Sequence, residues 1–260
     1  MKTKINKIKV DIILPNYNSE KFLSETVNSI LNQTFKNWKL IIVDDNSNIK
    51  NKNLLKKYSK NSKIKIIWLN KNKGPGFCRN IAMKNSKSDY LAFIDSDDIW
   101  YKNKLLNQLS FMLKHNYEFT YTNFLTFKKN DNSSSGYGAV NKIVLPKKFT
   151  FSTFIKNTSL CTSTMIIKKK LVKNIKFTNT KICEDYFFKC KILKKVKYAY
   201  CLSKTLTKYR IRHDSLQSNR LNNFYWIWHI NKNYNKFNFF ENLISILHIS
   251  FNSIKKYGFK

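Results

Sequence analysis

The first 127 residues alternate short apolar runs with stretches whose apolar positions recur every three to four residues. The runs "KVDIILPN", "WKLIIVDD", "KIKIIWL", "YLAFIDSDD" and "EFTYTNFLTF" have the length and the β-branched and aromatic content of buried strands. Pro15 is expected to stop the first of them. Phe22, Leu23, Val27, Ile30 and Leu31 then share one helical face, with Ser19 as the expected cap. Helical spacing recurs at 54–59, 77–85 and 102–115. Strands separated by helices in this rhythm need crossover connections. The expected class is therefore α/β, a mostly parallel, doubly wound sheet with helices on both faces.

The second half is less regular. Residues 128–148 are polar, and "NDNSSSGYG" reads as a loop. A helix near 150–155, an apolar run at "TSTMIIKK" and a helical period in "CEDYFFKCKIL" follow. "YAYCLSKTLTKYRIR" reads as two short strands, and the remainder as two aromatic-rich amphipathic helices flanked by lysines. The pattern divides the chain into a globular domain over 1–218, with halves 1–127 and 128–218, and a helical extension over 219–260. Two readings of that extension stand: packing on the globular domain, or peripheral contact with a membrane.

Charge changes the picture less than its size suggests. The chain has 49 Lys and Arg against 15 Asp and Glu, a net charge of +34. Only Arg79, Arg210, Arg212 and Arg220 are arginines, and the lysine is spread evenly among Asn, Ile, Phe and Tyr, as AT-rich codons would produce. Specific nucleic-acid sites lean on arginine's planar fork, so no nucleic-acid partner is expected. The charge still attracts phosphates and acidic lipid head groups.

Five cysteines without a C-x-x-C pair suit a reducing interior and argue against a zinc site or a disulfide framework. The N-terminal apolar run, Ile12 to Leu14, is too short for a signal peptide. No run approaches the ~18 apolar residues of a membrane span. The expected location is cytoplasmic.

Candidate chemistry collects where strands end: "PNYN" after the first, "DDNS" after the second, "NKNKGPG" after the third and "DSDD" after the fourth. Ligands of open α/β sheets bind at the carboxyl ends of parallel strands. Neither the G-x-G-x-x-G nor the P-loop signature is present. A crevice lined by Asp44, Asp45, Asp95, Asp97 and Asp98 repels a bare phosphate, but accepts one bridged by a divalent cation.

These residues resemble family 2 glycosyltransferases of the GT-A fold, across roughly residues 9 to 215. The resemblance is carried by Pro15, Tyr17 and Asn18, by Asp44 and Asp45, and by Asn72, Gly74, Arg79 and Asn80. It continues with the D-x-D of Asp95, Ser96 and Asp97, then Glu184 and Asp185 of "EDYFF". Cys78 stands where the family often has alanine. The resemblance implies a nucleotide-sugar-binding half and an acceptor-side half. Pro15, Tyr17 and Asp45 would hold the base, usually uracil, with Asn72 and Arg79 helping; Asp95 would face ribose and metal, and Asp97 would ligate Mn²⁺ or Mg²⁺. It also implies that Asp185 is the general base with Glu184 beside it, and that His213, near Arg210, can complete the metal shell. Asp98 is expected to cap or support the next helix. The implied reaction is inverting transfer of a sugar from a nucleotide donor to a glycan or lipid-linked saccharide. A sugar nucleotidyltransferase and a non-enzymatic polyanion-binding module are the alternatives.

Overall fold

The computed structural model describes residues 5, 7–129, 137–180, 182–212 and 220–257. The chain runs β1 (Val10–Asn16), α1 (Leu23–Leu31), β2 (Trp38–Asp44), α2 (Ile49–Tyr58), β3 (Ile64–Trp68), α3 (Pro75–Asn85), β4 (Tyr90–Phe93), β5 (Ile99–Trp100) and α4 (Lys104–His115). It continues with β6 (Phe119–Lys129), β7 (Tyr137–Ile143), β8 (Lys148–Phe149), α5 (Phe151–Phe154), β9 (Ile166–Lys168), α6 (Glu184–Lys195) and β10 (Ala199–Arg210). Two helices close it, α7 (Arg220–Ile230) and α8 (Phe239–Tyr257).

One sheet orders its strands β3-β2-β1-β4-β9-β6-β10-β5, with β7 on β6 and β8 on β10. Register is parallel through β3, β2, β1 and β4, and again between β6 and β10. β9 enters antiparallel to both β4 and β6 and joins the two parallel blocks. Strand side chains alternate between faces. Ile12, Leu14, Leu40, Ile42 and Ala92 pack in one buried cluster with Leu23, Val27 and Ile30 of α1, Leu55 of α2 and Leu105 and Leu109 of α4. Ile13, Ile41, Val43, Leu91 and Phe93 pack in the other with Cys78 and Ala82 of α3 and Phe187, Phe188 and Ile192 of α6. The sheet is doubly wound, as its sequence pattern implies.

Pro15 does not end β1; it pairs with Val43. β4 pairs with β1 only as far as Ile13↔Phe93, so the missing N–H faces no ladder on that side. Ser19 does not cap α1. Phe22 occupies the cap position without a side-chain bond, and the buried Ser19 hydroxyl donates to Asn16 Oδ1 instead. α2 begins earlier than its apolar spacing implies, at Ile49, because Asn48 Oδ1 accepts from Asn51 N at 2.9 Å. "YAYCLSKTLTKYRIR" yields one strand, not two: register shifts between Leu202 and Thr207 absorb its exposed Ser203–Lys204 centre. The polar 128–148 stretch also contains strand β7, paired with β6, which takes in the Tyr137–Gly138 end of the expected loop.

Asp11 is a further tie outside the strand ends. It is 2% exposed, and its Oδ2 accepts from Ser86 Oγ (2.6 Å), Lys87 N (2.7 Å) and Ser88 N (2.9 Å), fastening the turn between α3 and β4 to β1. Asp11→Ala leaves three donors unpaired and is expected to lower stability by about 2–3 kcal/mol in urea titration.

Candidate active site

The carboxyl ends of β1, β2 and β4 open onto a cleft of ≈ 840 Å³, completed by the loop before α3, the segment 158–162, the start of α6 and the end of β10. Pro15, Tyr17, Asn18, Asp45, Asn72, Gly74, Arg79, Asp95, Ser96, Asp97, Glu184, Asp185 and Arg210 all line it. Asp44 does not line it; its side chain lies beneath the floor. His213 lies outside the described residues.

Asp44 gathers the loops behind the first two strands. Its Oδ1 accepts from Asn16 Nδ2 (2.7 Å), Ser47 Oγ (2.6 Å) and Asn51 Nδ2 (3.3 Å), and its Oδ2 from Ser47 N (3.1 Å). Asp45 grips the loop before α3, its two oxygens accepting from Lys73 N and Gly74 N, each at 2.7 Å. Gly74 takes φ +85°, a backbone state open to glycine. At Gly76 a Cβ would come within 2.8 Å of both Glu184 Cγ and the Thr178 carbonyl, so α3 seats against the start of α6 only because that atom is missing.

Arginines supply the counter-charges of the aspartate cluster. Arg79 is buried and bridges Asp95 Oδ1 and Glu184 Oε1, both at 2.6 Å, with Phe177 against its guanidinium. Burial pulls its pKa down, but Asp95 and Glu184 outweigh that and raise it. Arg212 reaches Asp97 Oδ2 at 2.9 Å. Burial, then the charge of Asp95, pushes the Asp97 carboxyl up, and Arg212 partly offsets both. Asp98 does not cap α4. Its Oδ1 accepts from the backbone N of Arg210 at 2.9 Å, tying β10 to the end of β4, and burial followed by Asp97 and Asp95 drives its carboxyl well up. Arg210 also donates from Nε to the Asp97 carbonyl (2.8 Å) and from NH2 to Glu25 (3.0 Å).

Asp185 sits in the first turn of α6, with Oδ2 accepting from Thr162 Oγ1 (2.9 Å) and Lys189 Nζ (2.6 Å) and Oδ1 from Tyr186 N (2.8 Å). Burial pushes its pKa up; the Lys189 ammonium and its hydrogen bond, with Arg79 and Thr162, outweigh that and hold it at about 2. Glu184 moves the other way, raised by burial despite Arg79. Reading the motif alone misses Lys189, although Asp and Lys four apart on a helix share a face. It also misses Thr162 and Ser163, whose Oγ accepts from Asp95 N at 3.0 Å. Nothing in "TSTMIIKK" marks those two as partners of acids.

Among the described residues no group of three or more His, Cys, Asp or Glu is placed to hold a metal ion. Asp95 and Asp97 remain as two hard oxygen donors whose mutual repulsion a cation would relieve. That set suits Mg²⁺ or Mn²⁺, which take one or two carboxylates and complete their shell with phosphate oxygens and water.

The chain matches the family model described as Glycosyl transferase family 2 over residues 11–176. It is 34% identical over 213 residues to the Escherichia coli UDP-Glc:alpha-D-GlcNAc-diphosphoundecaprenol beta-1,3-glucosyltransferase WfgD, covering 81% of this chain and 80% of that protein. WfaP of Escherichia coli, named for the same activity, is 33% identical over 211 residues and gives coverage of 81% and 80%. Among solved structures, S. aureus TarS 1-349 in complex with UDP-GlcNAc superposes with a TM-score of 0.70 at 26% identity, over 86% of this chain. The chain spans 65% of that TarS fragment. By the family match, by identity across four fifths of WfgD and by its sheet, the chain is a glycosyltransferase of the GT-A fold and belongs to glycosyl transferase family 2.

Proposed function

We propose that the enzyme inverts the anomeric centre of a sugar as it moves it from a UDP-linked donor to a hydroxyl of a lipid-linked saccharide in surface-glycan synthesis. Membership of the family sets aside the nucleotidyltransferase and the polyanion-binding module. The observation that carries the reading is one cleft lined both by the strand-end acids Asp95 and Asp97 and by the helix-start acid Asp185. The UDP-glucose and diphosphoundecaprenol in the name of WfgD, and the UDP-GlcNAc bound by TarS, support the donor and acceptor classes.

In this reading Pro15, Tyr17 and Asn18 border the nucleobase, and Tyr17, 52% exposed, offers a ring for stacking. Asp45 shapes the loop of Asn72 and Gly74 around the nucleotide. Asp44 and Arg79 act through the groups they hold. Asp97, with Asp95 beside it, would hold a divalent cation, which would supply charge neutralisation to the departing diphosphate; His213 is the candidate third ligand. Asp185 accepts the proton of the acceptor hydroxyl as that oxygen attacks from the face opposite the diphosphate. Its Oδ1 takes one bond, from Tyr186 N, and keeps a lone pair for that hydroxyl. A carboxylate held at about 2 is ionised at neutral pH and takes the proton late, as the new C–O bond acidifies the hydroxyl. We assign catalysis to 1–218 and treat 219–260 as an appendage, in a protein working at the cytoplasmic face of the membrane.

A second reading has its own observation. Arg212 already stands on Asp97, so guanidinium groups could carry the diphosphate charge unaided. Calorimetric titration with UDP in Mn²⁺ and in EDTA separates the two: binding that survives EDTA unchanged favours the arginine reading.

Asp97→Asn is expected to abolish turnover and weaken Mn²⁺-dependent UDP binding about tenfold or more. Asp185→Asn is expected to lower turnover about 10²–10⁴-fold with UDP affinity near normal; full transfer activity would remove Asp185 as the base. Lys189→Met deprives Asp185 of the cation that depresses its pKa. With its folded-state pKa raised, the carboxylate protonates at higher pH. The acid limb of the kcat profile therefore moves to higher pH, and Lys189→Arg restores it.

A further inference from the structure

α8 is amphipathic in the inverted sense. Its polar side faces the protein: Asn242 and Ser245 are each 1% exposed. Asn242 Nδ2 donates to the Trp228 carbonyl (3.0 Å), Ser245 Oγ to the Ile155 carbonyl (2.6 Å) and Asn252 Nδ2 to the Lys156 carbonyl (2.9 Å). Asn231 Nδ2 donates to both Asn242 Oδ1 and Ser245 Oγ at 3.2 Å, and Ile249 adds apolar contact. The opposite side carries Phe240 (72% exposed), Leu243 (38%), Ile244 (48%), Leu247 (60%) and Phe251 (68%). At 100° per residue these five fall within an arc of roughly 100°, a continuous apolar stripe along the helix. Aromatic and aliphatic side chains in a stripe of that length are not left to water without a partner.

The charge around the stripe identifies the occupant. Lys156, Lys232 and Lys236 are exposed on the segments that adjoin α8. From Arg220 to Lys260 the one acidic residue is Glu241. An apolar helix face on a lysine-rich, acid-poor segment matches an anionic lipid surface, where head groups take the charge and acyl chains the stripe. A second copy of the chain fits less well, since pairing two stripes would bring together two bodies of net charge +34. The placement also suits the chemistry: the Ile155 and Lys156 carbonyls that hold α8 lie one residue, Asn157, before Thr158, Ser159 and Leu160, which line the cleft.

We propose that the exposed face of α8 is a peripheral docking surface for an anionic bilayer, setting the 158–160 side of the cleft toward lipid-linked acceptor. Its purpose rests on the acceptor proposed above, but the two fail separately, because vesicle binding is measured with neither donor nor acceptor present. No helix among the described residues is long and apolar enough to cross a membrane.

The test is flotation of the full chain with phosphatidylglycerol–phosphatidylcholine vesicles and with pure phosphatidylcholine, beside sedimentation velocity without lipid. Phe240→Glu with Leu247→Glu is expected to lower partition onto anionic vesicles about tenfold or more. Donor hydrolysis in solution, which needs no lipid, should stay unchanged and report intact folding. Leu247→Gln, a milder exposed change, should lower partition by a smaller factor. Equal partition of wild type and double variant would overturn the proposal, because binding would then lie elsewhere on the surface. A dimer dispersed by the double variant, with no vesicle binding by wild type, would overturn it in favour of a second copy.

Discussion

The buried guanidinium of Arg79 joins two parts of the chain that have little else in common. One arm holds Asp95 at the end of β4, in the parallel half; the other holds Glu184 at the start of α6, in the irregular half. A buried cation is costly unless paired on every side, and removing one partner of such a group commonly costs about 3–5 kcal/mol. The seam therefore tolerates only arrangements that bring both carboxylates to Arg79. Once they are there, Asp185 follows one residue behind Glu184, Lys189 one turn later, and Asp97 two residues after Asp95. The strand-end acids and the helix-start acids acquire a fixed spacing without touching each other.

A second layer of ties holds the cleft walls. Asp44 and Asp45 are neighbours with different work: one packs the loops after β1 and β2 from below, the other clamps the loop before α3. Asp98 and Arg210 bind the end of β4 to the end of β10. Polar residues at these strand ends are thus as much structural as chemical. The low-dielectric setting that raises Asp97 and Glu184 also makes each tie expensive to break.

Much of this was legible in the chain. The parallel strands declare themselves as apolar runs, and their ends as clusters of Asp, Asn and Gly, because buried strands and cleft loops have opposite demands. β7 was not legible: "YGAVNKI", an edge strand, has neither the long apolar run that marks a buried strand nor a strict alternation. β10 reads as two strands because register shifts, invisible to periodicity, carry a single strand through Ser203 and Lys204. Ser19 passes for a cap because residue type cannot reveal that Asn16 claims its hydroxyl. The arginine partners were hidden for a plainer reason: Arg79 and Glu184 lie 105 positions apart, and Arg212 and Asp97 lie 115 apart. No local pattern reports such a pair. Lys189 is the exception, a helical neighbour of Asp185 within one turn.

Gly76 has a mechanical consequence. Backbone of α3 meets Glu184 and Thr178 so closely there that the gap has no slack for even a methyl group. The closeness of α3 to the start of α6 is therefore set by the size of one side chain, and any larger residue at 76 would have to push the backbone at Thr178 and the side chain of Glu184 away, and with Glu184 the bond to Arg79.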